Sequence, residues 1–257
     1  ISIKDYKQCT RLQRTWVAEA ARERDVSLTS EGSDYNYLLG LIMTGHAGFE
    51  HAIQVKPTYK DFAMFMAQAG AHYSPQITPG GDYPEGAPLE YWLGQRDLWF
   101  DSKIMRWNPW QEIAERRTYV KKPLNDYGMM LQSETSKDIK RAGGYVATGA
   151  HGEMGGIDTH WEMWIHALSM TPMEALEATS HDGAHFLGLE NELGSISVGK
   201  LADLVVLNSN PLDDIKNTLD IKYVMKAGRL YEGETLDEIW PTHRAYGPRP
   251  WTKESMT

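Results

Sequence analysis

A mixed α/β architecture with a parallel sheet is predicted by two observations on this chain of 257 residues. Short apolar strands alternate with amphipathic helices up to Ile77, and the same alternation resumes at Met129. Ile1-Ser-Ile-Lys4 reads as a strand already under way. Arg11 to Arg24 has helical periodicity, with Leu12, Trp16, Val17 and Ala20 on one face and charges on the other. Val26 to Ser30 is a strand. Asp34 is placed to cap a helix carrying Tyr37, Leu38, Leu41 and Ile42, which stops at Gly45. Phe49 to Ile53 then reads as a short strand, Asp61 to Ala69 as a helix ended by Gly70, and Ala71 to Ile77 as another strand.

From Thr78 to Asp126 the rhythm breaks. Pro79-Gly80-Gly81, Pro84, Gly86 and Pro88 lead into Tyr91, Trp92, Trp99, Phe100, Trp107 and Trp110. Plain loops are much shorter, so a long insertion after a strand points to a functional segment or a lid. Two readings stand for its tryptophans: a small apolar core that holds the loop down, or a cover for substrate or a subunit contact. Beyond it, Met129 to Ala142 reads as a helix and Tyr145 to Thr148 as a strand. Helices follow at Thr159 to Ser169 and Thr171 to Phe186, the second opening on Thr-Pro with Glu174 at capping-box spacing. In Leu193 to Leu212, Gly194 and Gly199 bracket a short strand. Leu201 to Leu207 is an apolar run broken only by Asp203, and Asn208 to Pro211 is turn chemistry. Ile221 to Arg229 is a further strand ending in a Gly turn.

Composition narrows the partners. With 26 Lys and Arg against 35 Asp and Glu, the net charge is −9. That balance argues against a nucleic-acid partner and toward small molecules. No run approaches the ~18 consecutive apolar residues of a membrane span, so no membrane partner is expected. The single cysteine, Cys9, rules out an internal disulfide framework and reads as a structural helix residue. Compartment stays open. Because Ile1 stands where a Met would begin a chain, residues upstream of it are expected to be missing.

Chemistry gathers where the strands stop. Lys4, Glu31, His51, Thr78 and His151 all fall at strand ends, and the catalytic groups of a (β/α)8 barrel collect on that C-terminal face. Each has a plainer reading: His51 as a satisfied core histidine, Lys4 as a solvated charge, His46 as a residue closing a turn. His160, Trp161 and Glu162 either line a pocket or simply start a helix. His181 and His185 sit one turn apart and read as structural, like His72. Arg116-Arg117 and Lys121-Lys122 are solvated pairs or receptors for a carboxylate.

The string Leu193-Gly-Ser-Ile-Ser-Val-Gly-Lys-Leu-Ala-Asp-Leu-Val-Val-Leu-Asn-Ser-Asn-Pro-Leu212 resembles the C-terminal β-sandwich return of the amidohydrolase superfamily, in its imidazolonepropionase-like and prolidase-like branch. Gly45-His-Ala-Gly-Phe-Glu-His51 resembles the sixth-strand motif of that branch, whose His binds metal. Ile1-Ser-Ile-Lys4 resembles the fourth strand, whose Lys, often carboxylated, bridges two metals. The likeness runs from there nearly to the end of the chain, and above all to a group with an upstream TolB-like β-propeller.

The resemblance implies a partial (β/α)8 TIM barrel, strands 4–8, plus part of a small C-terminal β-sandwich. Residues 1–190 would form the barrel half, with the aromatic insertion at 78–126. Residues 191–235 would supply sandwich strands and residues 236–257 a tail. Lys4, Glu31, His51 and His151 are the implied metal ligands, for one or two divalent ions, zinc above all. Departures are plain: the first-strand His-x-His pair is absent, Glu31 stands where the family commonly has a fifth-strand His, and His151 where it commonly has an eighth-strand Asp. Carboxylate and imidazole are both ordinary zinc ligands. A metal-bound His151 cannot also serve as base, so Glu153, Glu31 or an upstream group is left for that role. His151 and Glu153 are the candidate catalytic residues, and His46 and His160 the candidate substrate contacts.

The implied reaction is hydrolysis of a C–N bond in a cyclic amide or short peptide, with metal-bound water brought toward a pKa of ~7. The competing reading is a metal-free barrel kept as a binding or assembly module. Five strands of eight leave two open sheet edges. The chain is therefore expected to be stable only beside the missing N-terminal segment of the same protein, and a homo-oligomer is a further possible partner arrangement.

Overall fold

Side-chain alternation along five parallel strands separates a polar face from an apolar one. A computed structural model describes residues 2–6, 10–32, 34–54, 57–79, 88–95, 100–116, 122–248 and 251. Cys9, Trp99, Arg117, Lys121 and the turn residues Gly80, Gly81, Pro84 and Gly86 lie outside the described residues. The strands are β1 (Ser2–Asp5), β2 (Ser27–Glu31), β3 (Gly48–Glu50), β4 (His72–Ser74) and β5 (Tyr145–Val146), hydrogen-bonded in that order. Their register aligns Lys4, Thr29, Gly48, His72 and Tyr145 across the sheet, and Glu31, Glu50 and Ser74 one step further on. Successive residues point to opposite faces. Leu28, Phe49, Tyr73 and Val146 therefore share the other face.

That second face is covered by helices. α1 (Arg11–Glu23), α2 (Tyr35–Thr44), α3 (Lys60–Ala69) and α7 (Met129–Arg141) follow the first, second, third and fourth strands. Leu38, Leu41, Phe49, Phe62, Met66, Tyr73, Ile139 and Val146 form one buried cluster. The helix ends follow local chemistry. Asp34 accepts the Tyr37 amide, and Gly45 (φ 88°) and Gly70 (φ 66°) close α2 and α3 in the left-handed conformation. Five parallel strands with helices on one face are consistent with part of a (β/α)8 barrel.

At Gly48 the polar face meets a ring. A Cβ there would stand 2.2 Å from Phe186 Cε2 and 3.2 Å from the His72 Cβ. Gly48→Ala is expected to cost about 1–3 kcal/mol through overpacking, read as a lowered midpoint in thermal denaturation of the intact protein. An unchanged midpoint would contradict this close approach.

The insertion is helical rather than irregular. It contains α4 (Pro88–Gln95), α5 (Ser102–Trp107), α6 (Trp110–Arg116) and a 3-10 turn at Leu124–Asp126. Trp92 packs edge-on to Trp164 and joins Ile77, Leu93, Ile104, Ile113 and Trp161 in a second buried cluster. Trp110 is half exposed and Trp107 meets the Tyr246 ring. Insertion and barrel thus share one core.

Several boundaries depart from the sequence reading. The third and fourth strands stop at Glu50 and Ser74, ahead of the expected Ile53 and Ile77, and His51 and Gln76 beyond them take φ of 65° and 48°. The fifth strand is likewise shorter than Tyr145 to Thr148. After α8 (Asp158–His166), the helix expected over Thr171 to Phe186 breaks at Ser180 into α9 (Pro172–Thr179) and α10 (His181–Phe186). The Thr171–Glu174 capping box is present. No strand lies between Gly194 and Gly199, where Ile196 and Val198 are fully open to solvent.

The C-terminal part is an antiparallel sheet of four strands, β6 (Leu204–Leu207), β7 (Ile221–Lys226), β8 (Arg229–Glu232) and β9 (Glu238–Trp240). A sandwich needs two facing sheets, and the described residues supply one. β9 carries the sheet beyond residue 235, into the segment read as a tail. α5 ties this sheet to the barrel: Arg106 donates to the Thr235 carbonyl at 2.9 Å and Lys103 pairs with Glu234 at 3.2 Å.

Candidate functional site

The polar face ends in a linked row of charged and imidazole side chains. Lys4, on the edge strand β1, places its ammonium 2.6 Å from Glu50 and 3.2 Å from Glu31. Thr29 also donates to Glu50, at 3.0 Å. Partial burial pulls the Lys4 pKa down, but the Glu50 and Glu31 carboxylates outweigh it and hold the amine charged. His51 Nε2 lies 3.4 Å from Glu31, and its ring meets that of His151 edge-on at 5.3 Å. Burial lowers the His51 pKa against the attraction of Glu31, with His151 and Lys4 adding to the lowering. A neutral imidazole is the form that ligates a metal.

Beyond His151 the row continues. Its Nδ1 sits 3.0 Å from Glu153 Oε1, and Glu153 Oε2 accepts from the Arg116 guanidinium of α6 at 3.4 Å. The carboxylate fixes the His151 tautomer, with Nδ1–H donating and Nε2 left for another partner. His151, like His51, has a left-handed backbone, at φ 63°. Such a conformation is uncommon outside glycine and clusters at functional sites.

Five of the expected site residues are therefore brought together: Lys4, Glu31, His51, His151 and Glu153. Two are not. His46, expected to touch substrate, is buried with Nδ1 3.0 Å from the Thr44 hydroxyl and Nε2 3.3 Å from Asp5, on the helix-covered side of the sheet. Both of its nitrogens are occupied. His160 bonds Thr218 at 3.0 Å and lines a separate cavity of about 440 Å³ between the insertion and the antiparallel sheet. Burial, aided by Lys103, pushes its pKa down to about 4. His72, at the start of β4, and His185 of α10 pair with each other at 2.7 Å.

The sequence leaves Glu50 unassigned, reads Arg116 as a solvated charge or a receptor for a carboxylate, and reads Glu162 as a pocket-lining or helix-starting residue. Glu50 was visible in principle, since it follows Gly48 by two residues and so shares the face of Glu31. Arg116 reaches the row only through the fold of the insertion. Glu162 is fully buried in α8, where its two oxygens accept from Ile77 N, Thr78 N and Thr78 Oγ1 at 2.7, 2.7 and 2.6 Å.

Carboxylate and imidazole are each ordinary ligands of a divalent metal. Glu31, His51 and His151 are a carboxylate and two imidazoles converging at strand ends, and the Lys4 ammonium already supplies positive charge between Glu31 and Glu50. The set is not closed: among the described residues no three His, Cys, Asp or Glu side chains form a ready metal cage.

Comparison with known proteins follows the same direction. Residues 140–231 match the model of the amidohydrolase family. The imidazolonepropionase of Symbiobacterium thermophilum is 48% identical over 70 residues, covering 26% of this chain and 16% of that protein. Two solved structures share the fold. A Xaa-Pro dipeptidase with bound methionine superposes with a TM-score of 0.60 at 21% identity, over 88% of this chain and 49% of its own. A prolidase complexed with N-methylphosphonate-L-proline gives 0.59 at 20% identity, over 88% and 50%. Over residues 140–231 the chain is thus similar to the amidohydrolase family, in its local sequence to imidazolonepropionases, and in its fold to prolidases. It spans about half the length of these solved structures.

Proposed function

We propose that this chain carries strands four to eight of a (β/α)8 hydrolase that uses a divalent metal, zinc above all, to cleave a C–N bond in a small-molecule or short-peptide amide. One observation carries the reading: Lys4, Glu31, His51 and His151 form a single row at the C-terminal ends of the parallel strands, with neighbouring groups 3.2 to 5.3 Å apart. Glu31, His51 and His151 would hold the metal together with ligands from the rest of the protein, and Lys4 would join them only on giving up the ammonium that now pairs with Glu50 and Glu31. A bound divalent ion supplies Lewis acidity there, polarising the scissile carbonyl and acidifying water. The chain's own residues do the positioning. Glu50 and Thr29 fix Lys4, while Arg116 holds Glu153 and Glu153 turns His151. With Oε1 on His151 and Oε2 on Arg116, Glu153 orients the imidazole, a role that also leaves it adjacent to a proton in transit.

Metal analysis of the intact protein, paired with a panel of dipeptides, lactams and lactones, tests this reading. One or two transition-metal ions per chain and turnover of an amide are expected. Absence of bound metal at purification, no uptake on reconstitution and no turnover would overturn it in favour of a metal-free binding barrel.

A further inference from the structure

We infer that Gln76 is a substrate-reading residue of this site, and that its carboxamide recognises the N–H of a secondary amide next to the scissile carbonyl. The inference rests on the hydrolase reading above and narrows its substrate class.

Three independent features of the structure meet at Gln76. The first is its backbone. Among the six described non-glycine residues with positive φ, three lie in the segments that follow successive parallel strands: His51 directly after β3, Gln76 two residues past β4 and His151 five residues past β5. Two of these are already in the row. A left-handed glutamine has no intrinsic advantage there, so its surroundings must hold it.

The second is what holds it. The next two residues, Ile77 and Thr78, are gripped from behind by the buried Glu162 carboxylate through three hydrogen bonds of 2.6 to 2.7 Å. Gln76 lies two residues past the end of β4, and Gly149 leaves room for its side chain. A Cβ on Gly149 would lie 2.9 Å from Gln76 Cγ and 3.3 Å from its Nε2. Gly149 is two residues before His151, so the amide stands beside the loop after β5 that carries the imidazole.

The third is an unmet valence. Gln76 Oε1 is buried and has no hydrogen-bond partner among the described residues. An orphaned buried acceptor costs about 1–3 kcal/mol and persists where something else completes it. A carbonyl acceptor is completed by a donor. An amide N–H on the substrate supplies one, whereas the ring oxygen of a lactone or the bridging oxygen of an ester supplies none. A site built to bond an N–H discriminates strongly against the analogue that lacks it.

The test uses the intact, metal-loaded protein with a matched amide and ester pair of the same acyl group. Wild type is expected to prefer the amide in KM. Gln76→Leu should raise the amide KM about 10-fold or more while leaving the ester KM within about 2-fold, and Gln76→Asn, which keeps both the carboxamide and a tolerance for positive φ, should recover part of the difference. Gln76→Gly removes the amide but relieves the backbone, so its melting temperature should equal or exceed that of wild type while the amide preference is lost. Equal losses on amide and ester in Gln76→Leu, or full preference in Gln76→Gly, overturn the inference while leaving the hydrolase reading intact. Failure of wild type on both substrates, with no metal bound, removes the hydrolase reading and this inference with it.

Discussion

Glu162→Ala is expected to destabilise the intact protein by about 3 kcal/mol or more, because it strips acceptors from Ile77 N, Thr78 N and Thr78 Oγ1 at once and leaves a cavity where a fully buried side chain stood. Glu162→Gln should cost less, about 1–3 kcal/mol. Its carbonyl can face the two Thr78 donors, but its NH₂ then opposes the Ile77 N–H. Denaturant midpoints for the two variants check the order, and a loss below about 1 kcal/mol for Glu162→Ala would contradict it. A pH dependence accompanies this. Burial raises the Glu162 carboxyl from 4.5 to about 7 against the pull of its three donors. The folded state then holds a proton that the unfolded chain releases between those values. The Glu162 contribution to stability is fully present below about pH 4.5 and lost as pH rises through about 7, by an amount on the order of 3 kcal/mol. Glu162→Gln should flatten that part of the stability–pH curve.

His151→Ala and His51→Ala are expected to lower kcat/KM by about 10²–10⁴-fold with little change in melting temperature. The reason is placement. The His51 and His151 side chains are 29% and 48% exposed, so neither fills the core. Their neighbours are charged groups on the polar face rather than packed apolar atoms. Metal content measured alongside activity separates the two roles: loss of metal with either substitution supports ligation, and retention of both metal and activity within about 5-fold would contradict the proposed site. Arg116→Ala should fall between, because Glu153 keeps His151 but loses its own anchor; second-sphere changes of this kind typically cost about 10–100-fold.

Local rules made much of the parallel sheet legible. Asp34, Gly45, Gly70 and the Thr171–Glu174 pair each announce a helix end by chemistry confined to a few residues, and the structure carries all four. The row of Lys4, Glu31, His51 and His151 was readable for a related reason. Polar groups at the ends of apolar strands stand out against their own segment. What stayed hidden depends on contacts between distant segments. His46 looked like a surface turn residue until Asp5, 41 positions away, closed over it. Arg116 reaches Glu153 only because the insertion folds into helices, which its Pro- and Gly-rich opening concealed. Gln76 sat inside what read as an apolar strand, whereas β4 ends at Ser74 and Gln76 takes a left-handed backbone beyond it. The break at Ser180 is likewise invisible to a hydrophobic pattern that fits one continuous helix.

The tie between α5 and the antiparallel sheet bears on how the molecule opens. Trp164 of α8 bonds the Ile215 carbonyl at 3.1 Å, and Trp251 bonds the Arg106 carbonyl at 3.3 Å, adding to the Arg106–Thr235 and Lys103–Glu234 links. Two sheets of different topology are thus clasped through α5 and α8, which belong to neither sheet. Local opening events spread through whatever is fastened together. Amide protons of β8 and β9 should therefore exchange with deuterium in step with those of α5, and cutting the clasp should release the C-terminal sheet as a separately exchanging unit while the protons of β2 and β3 stay protected.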